Sequence, residues 1–155
     1  MADAVSAVLA RLAAARQPPP TRPPLGWHRG VCVDIVMGEP VPTRMGPRPT
    51  VTFVFELESE RVPGYRWIVS RTFECLFFRT SPLRLFVEAW QGYPYEDGLS
   101  FEDHYLGKDG TFRLVPAGGY AYPALARPRV GPPVRPDGFY IRRKYRKSYL
   151  SSTEK

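Results

Sequence analysis

The chain has 155 residues, 43% of them hydrophobic and 14% aromatic, with 18 prolines, 13 glycines and a net charge of +7. That length and apolar content suit one hydrophobic core, and the proline and glycine density argues for short strands and many turns over long helices. Cys32 and Cys75 are too few for a disulfide scaffold and lack CxxC spacing, no run reaches the roughly 18 apolar residues that cross a bilayer, and no charged n-region precedes an apolar h-region at the start. A soluble, cytoplasmic protein of a bacterium or a phage-infected host is expected, with no membrane partner and two inert thiols.

In chain order, Val5, Val8, Leu9 and Leu12 sit at i, i+3, i+4 and i+7 and predict a short helix over 4–15. The run Pro18-Pro19-Pro20-Thr21-Arg22-Pro23-Pro24 blocks both helix and ladder and predicts an extended spacer. Residues 1–29 are thus an arm. From Gly30 to Val36, Val31, Val33 and Ile35 alternate with Cys32 and Asp34, a first strand with one buried face. Residues 37–49 hold four prolines together with Arg44 and Arg48, and read as an irregular cationic loop.

Val51, Phe53, Phe55 and Leu57 then repeat with period two, the strongest strand signal in the chain. Thr50, Thr52, Val54 and Glu56 would face outward, where Glu56 would repel phosphate. Pro63-Gly64 marks the turn of a hairpin into a third strand over 65–73. Ser81-Pro82 is a helix start, Leu83, Phe86, Val87 and Trp90 follow at helical spacing, and Gly92 stops it. A helical turn over 101–106, the Gly107-Lys108-Asp109-Gly110 turn, a fourth strand over 111–115, the Gly118-Gly119 hairpin and a fifth strand over 120–125 complete the pattern, with Pro123 confining the last to an edge. The predicted domain is 30–127, and residues 128–155 form an extended proline-rich segment and a basic tail.

The order strand, strand, strand, helix, strand, strand is that of the mainly β oligonucleotide-binding (OB-like) barrel, five strands with a helix between the third and fourth. Its second and third strands, with the first and last loops, form the usual binding face. A sandwich and a split α+β sheet are the alternatives.

Arg71-Thr72-Phe73-Glu74, the run from Ser81 to Gly92, and Phe101 with Leu106-Gly107-Lys108 resemble the central block of small bacteriophage-type single-stranded DNA-binding barrels. Thr52-Phe53-Val54-Phe55-Glu56-Leu57 is similar to their second strand. The resemblance spans 30–125 and implies a barrel that protects or delivers single strands in replication or recombination beside proteins of those processes, with no cofactor. Two features depart from it: Ala117 to Gly119 is a short last loop, and the basic tail is foreign to the pattern.

A single-strand binder needs π-faces for bases and a cationic track for phosphates. On strand three, an outward phase of Trp67, Val69, Arg71 and Phe73 would make Trp67 and Phe73 stacking platforms with Arg71 as their cationic partner, and the opposite phase would put both rings in the core. Arg44 and Arg48 on the first loop, Lys108 in its Gly-flanked turn, and Tyr120 and Tyr122 beside Gly118-Gly119 are further candidates. From Phe139 to Lys155 six cations face the single acid Glu154. There Arg142, Arg143, Lys144, Tyr145, Arg146 and Lys147 interleave charge with a ring, the composition of a polyanion-binding tail.

His28 and His104 lie at no metal-ligand spacing, Glu102-Asp103-His104 is a weak Mg²⁺ cluster with Asp34 or Asp109 as distant partners, and no GxxxxGK[ST], GxSxG or GxGxxG motif occurs. A binding protein without catalysis is therefore expected. The rival reading is a structural adaptor whose proline-rich arms dock partner proteins.

Overall fold

A computed structural model of the chain describes residues 23–59 and 64–142. The helix predicted over 4–15, most of the proline spacer and the tail beyond Arg142 lie outside the described residues. Five strands, β1 (Gly26–Thr43), β2 (Gly46–Glu58), β3 (Arg66–Glu74), β4 (Asp109–Ala117) and β5 (Tyr120–Arg127), form one antiparallel sheet in the order β3-β2-β1-β4-β5. Two helices, α1 (Pro82–Gln91) and α2 (Phe101–Tyr105), connect β3 to β4. The chain is mainly β, as its composition indicates.

The local signals act as their chemistry requires. Ser81 caps α1 by accepting the Arg84 N–H at 3.3 Å, Pro82 occupies the first turn, and Gly92 closes the helix in the left-handed region at φ 84°. Gly110 allows the close approach of Trp90, because a Cβ there would stand 2.6 Å from the indole Nε1. That Nε1 donates to the Asp109 carbonyl at 2.9 Å, so α1 is tied to the start of β4.

The expected cationic loop over 37–49 is instead the far end of the β1–β2 hairpin. Val41 pairs with Arg48 and Pro42 with Pro47, after a register shift between Gly38 and Val41. Beyond the reach of β3 and β4 this is a two-stranded ribbon with open outer edges, where a proline that lacks an N–H leaves no neighbour unsatisfied.

The inner face of the sheet carries the main core. Phe53, Phe55, Leu57, Trp67, Val69, Phe73, Phe112 and Leu114 pack there against Leu83, Phe86, Val87 and Trp90 of α1 and Tyr105 of α2. Ring contacts bind it together, Phe55 to Phe112 at 4.2 Å and Trp90 to Tyr105 at 5.3 Å. The first strand departs from its expected phase. Cys32 faces inward opposite Phe55, Val31 and Val33 lie on the opposite face with Val54, and a bulge between Cys32 and Asp34 returns Ile35 to the inner face opposite Phe53.

That outer face is also covered. Residues 128–142 run back across it as a strap: Val134 is buried on Val31, Val33 and Val54, and Tyr140 packs beside them. Three polar anchors hold the strap. The Val134 N–H donates to Asp109 Oδ2 at 2.9 Å, the Asp137 N–H to Glu56 Oε1 at 2.6 Å, and the Tyr140 hydroxyl to Asp34 Oδ2 at 3.0 Å. Glu56 is therefore 0% exposed and presents no charge to a ligand, contrary to the expected repulsion. Burial raises its pKa above the ordinary carboxylate value, against the pull of the Asp137 N–H and of Arg66 at 3.8 Å.

The sheet is not closed into a barrel. At the seam between its outer strands, the Arg71 guanidinium on β3 donates to the Pro123 and Ala124 carbonyls of β5 at 3.2 and 2.6 Å. One side chain thus joins two edge strands where a backbone ladder would close a barrel.

Candidate nucleic-acid interface

At the tip of the β1–β2 ribbon, an open groove of about 570 Å³ is lined by Thr43, Arg44, Met45 and Arg48 on one side and by residues 74–78 on the other. Each wall is set by local chemistry. Thr43 Oγ1 donates to the Gly46 carbonyl at 2.6 Å and accepts the Met45 N–H at 3.2 Å, and Gly46 turns the chain at φ 99°. On the opposite wall, the Cys75 N–H extends the pairing of β3 to the Pro49 carbonyl at 2.8 Å. Ser81 Oγ and Arg84 Nη1 then hold the Leu76 and Phe77 carbonyls at 2.7 and 3.2 Å.

The loop so fixed presents two adjacent rings. Phe77 stacks with Tyr95 at 5.5 Å and with Phe101 at 5.9 Å, which seats it against the core. Phe78 is 57% exposed and Met45 80%. The groove thus has two guanidinium groups, an exposed phenyl face and one lining carboxylate, Glu74. Half-burial raises the pKa of the Cys75 thiol, which disfavours the reactive thiolate there.

A second, smaller groove of about 360 Å³ lies on the outer face of β2 and β3, lined by Val36, Thr52, Val54, Ile68, Val69, Ser70 and the strap's Tyr140. The Thr52 and Thr72 hydroxyls pair beside it at 2.7 Å. It carries no cation, so it lacks the charge that a phosphate backbone needs.

The predicted site residues disperse. Arg44 and Arg48 come together in the tip groove. Trp67 and Phe73 do not reach the surface: at 7% and 4% exposed they belong to the core, and the outward phase of strand three is corrected. The reason is register, since Leu57 pairs with Trp67 and Val51 with Phe73, so β3 inherits the inward phase of β2. Arg71 shares that phase and lies at the seam, 4.3 Å from the Phe73 ring and 5.5 Å from that of Tyr122. Its guanidinium holds β5, and burial lowers its pKa from the ordinary value.

Lys108 stands apart, its Nζ 5.9 Å from the Tyr93 ring. Tyr120 is 78% exposed at the β4–β5 hairpin, and Tyr122 is half-buried beside Arg71. Arg142, expected to touch a ligand, bridges the Asp34 carboxylate at 3.4 Å and that of Glu102. Its hydrogen bond to Glu102 is the leading cause that raises its pKa. Arg143, Lys144, Tyr145, Arg146 and Lys147 lie outside the described residues.

Sequence reasoning passed over Phe77, Phe78 and Met45. The signal was present in Phe77-Phe78-Arg79, two rings and a cation in a loop where neither strand nor helix periodicity claims them. Among the described residues, no group of three or more His, Cys, Asp or Glu side chains is placed to hold a metal ion, and no helix is long and apolar enough to cross a membrane. No protein-family model, curated protein or solved structure matches the chain.

Proposed function

We propose that the chain binds single-stranded nucleic acid, DNA in the first place, as a non-catalytic accessory to replication or recombination, with the tip groove as its primary contact. The observation that carries this reading is the meeting of Arg44 and Arg48 with exposed Phe78 in one open groove. The arginines neutralise successive phosphates while the phenyl face stacks a base, and bases of any sequence suit such a pair of contacts. The five-stranded order β3-β2-β1-β4-β5, which an OB-like reading accommodates, and the basic tail support the same reading.

The adaptor reading is weaker for the second proline segment, because residues 128–142 are laid on the chain's own sheet.

Fluorescence anisotropy of labelled oligo-dT and of a matched duplex, at about 50 and 200 mM salt, tests the proposal. Preferential binding of the single strand is expected. Removal of Arg44 and Arg48 together should lower the salt slope by roughly 1.4, at about 0.7 per phosphate contact. Phe78→Ala should cost about 1–3 kcal/mol, the worth of one stacked base. Equal affinity for duplex and single strand, unaffected by all three changes, would refute it.

A further inference from the structure

On the outer face, away from both grooves, the start of β1, the middle of β4 and the end of β5 carry a third arrangement of ring and charge. Trp27 pairs with Arg113, and Arg113 with Leu125, so the three side chains lie in one cross-strand row. Arg127, two residues along β5, lies over the Trp27 ring with its guanidinium carbon 4.1 Å from the centroid. The indole is 38% exposed, Leu125 49% and Leu25, just before β1, 59%.

The strap leaves this corner open. It departs from the end of β5 and turns across Arg29, whose guanidinium donates to the Pro132 carbonyl, toward Val31 and Val33. The nearby acids are already engaged: Glu58 pairs with Arg29 and Asp109 with Arg129, each at 3.2 Å. Among the described residues, neither Arg113 nor Arg127 forms an ion pair. Among the described residues the corner therefore sets an exposed indole beside two exposed guanidinium groups that no carboxylate pairs, all on one sheet face.

We infer that the Trp27–Arg113–Arg127 corner is a second contact for a single-stranded nucleic acid, in which a base stacks at Trp27 and the two arginines hold the flanking phosphates. The inference rests on the proposed function but not on the tip groove. Charge complementarity selects the occupant: an acidic backbone satisfies both arginines at once, and an unpaired base supplies the flat apolar face that an indole prefers. A duplex, whose bases are already stacked, offers the charge without the face.

Trp27 is also the natural reporter. Of the three tryptophans, Trp67 and Trp90 are buried at 7% and 0% exposed. The experiment follows tryptophan emission of the full chain on titration with oligo-dT and with an abasic oligonucleotide of equal length, beside the anisotropy of a labelled oligo-dT. Quenching by oligo-dT and not by the abasic strand is expected, lost in Trp27→Phe. Arg113→Glu should weaken binding about tenfold with an unchanged melting temperature, since its side chain is exposed.

Oligo-dT binding that depends on Arg44 and Arg48 but leaves the emission and the Arg113→Glu affinity unchanged would overturn this contact and leave the proposed function standing. Quenching that survives loss of Arg44 and Arg48 with affinity and salt slope both unchanged would support the corner and remove the tip groove. A blue shift of Trp27 with protein concentration alone, matched by a dimer in sedimentation, would make the corner a self-association face and overturn the inference. Absence of oligonucleotide binding by any variant would sink both.

Discussion

On its inner face the sheet meets α1 and α2 through interlocked rings, with Phe53, Phe55, Phe112, Trp90 and Tyr105 all at 0% exposed. On its outer face it meets the strap through Val31, Val33, Val54 and Val134, and through the carboxylates of Asp34, Glu56 and Asp109. The first contact is made mainly of apolar rings; the second is a thin apolar patch fixed by hydrogen bonds to acids. Area and packing hold the core, whereas directed polar contacts hold the strap and fix its register. Phe78 and Tyr120 at the rim, and Trp27 at the uncovered corner, are covered by neither layer.

Removing the centre of the inner face should have the largest effect on stability. Trp90→Ala deletes a side chain in contact with Phe53, Phe55, Phe112 and Tyr105 and leaves the Asp109 carbonyl without its indole donor. A loss of about 3–5 kcal/mol is expected, measured by urea unfolding. Gly110→Ala should fail at the same place from the other side, since its new Cβ meets that indole.

An equivalent cut on the outer face should cost less and act locally. Arg142→Ala removes the bridge between Asp34 and Glu102 and leaves Asp34, 2% exposed, with its Tyr140 and backbone contacts. A loss of about 1–3 kcal/mol is expected, with hydrogen exchange accelerated first at the Val134 and Asp137 amides. Exchange that rises equally in β2 would mean that strap and core unfold as one unit.

The two faces should also separate by pH. Burial raises the folded-state pKa of Glu56 above its unfolded value, so the native chain holds this proton more tightly than the unfolded one. Its contribution to stability is thus complete below the unfolded carboxylate pKa and is lost as pH rises through the folded one. Glu56→Gln keeps an oxygen acceptor for the Asp137 N–H and removes the buried charge. It should be more stable than the parent chain at neutral pH, with the difference vanishing in acid, as thermal melts across that range would report. A difference that instead grew in acid would give the Asp137 N–H and Arg66, and not burial, the larger hold on Glu56.

The inner face was legible in the sequence because each of its signals is local. Period two in Val51, Phe53, Phe55 and Leu57, the Ser81-Pro82 start with its Gly92 stop, and the Gly118-Gly119 turn each depend on neighbours in the chain. The outer face was not legible, because it is made by contacts between residues far apart. Nothing near Asp34 announces that Tyr140 and Arg142 return to it, so the first strand read as having one buried face. The phase of Trp67 and Phe73 was undecided for a similar reason: only the pairing with β2 chooses it. Prolines misled at 37–49, where a two-stranded ribbon tolerates what a central strand would not. At the tip groove the cations were legible and the rings were not, since Phe77 and Phe78 follow no period.

The smallest expected effect on stability is the most informative for function. Phe78 is exposed, and its truncation opens no cavity in the core, so Phe78→Ala should shift stability by no more than about 0.5 kcal/mol. Its neighbour Phe77 is stacked between Tyr95 and Phe101, and Phe77→Ala should cost more because it removes two ring contacts that reach the core through Phe101 and Phe53. Paired urea melts of the two variants therefore measure where the packed layer ends. A Phe78→Ala chain that unfolds as readily as Phe77→Ala would place Phe78 inside that layer, and any loss of oligonucleotide binding in it would then reflect a disturbed groove instead of a missing stacking face.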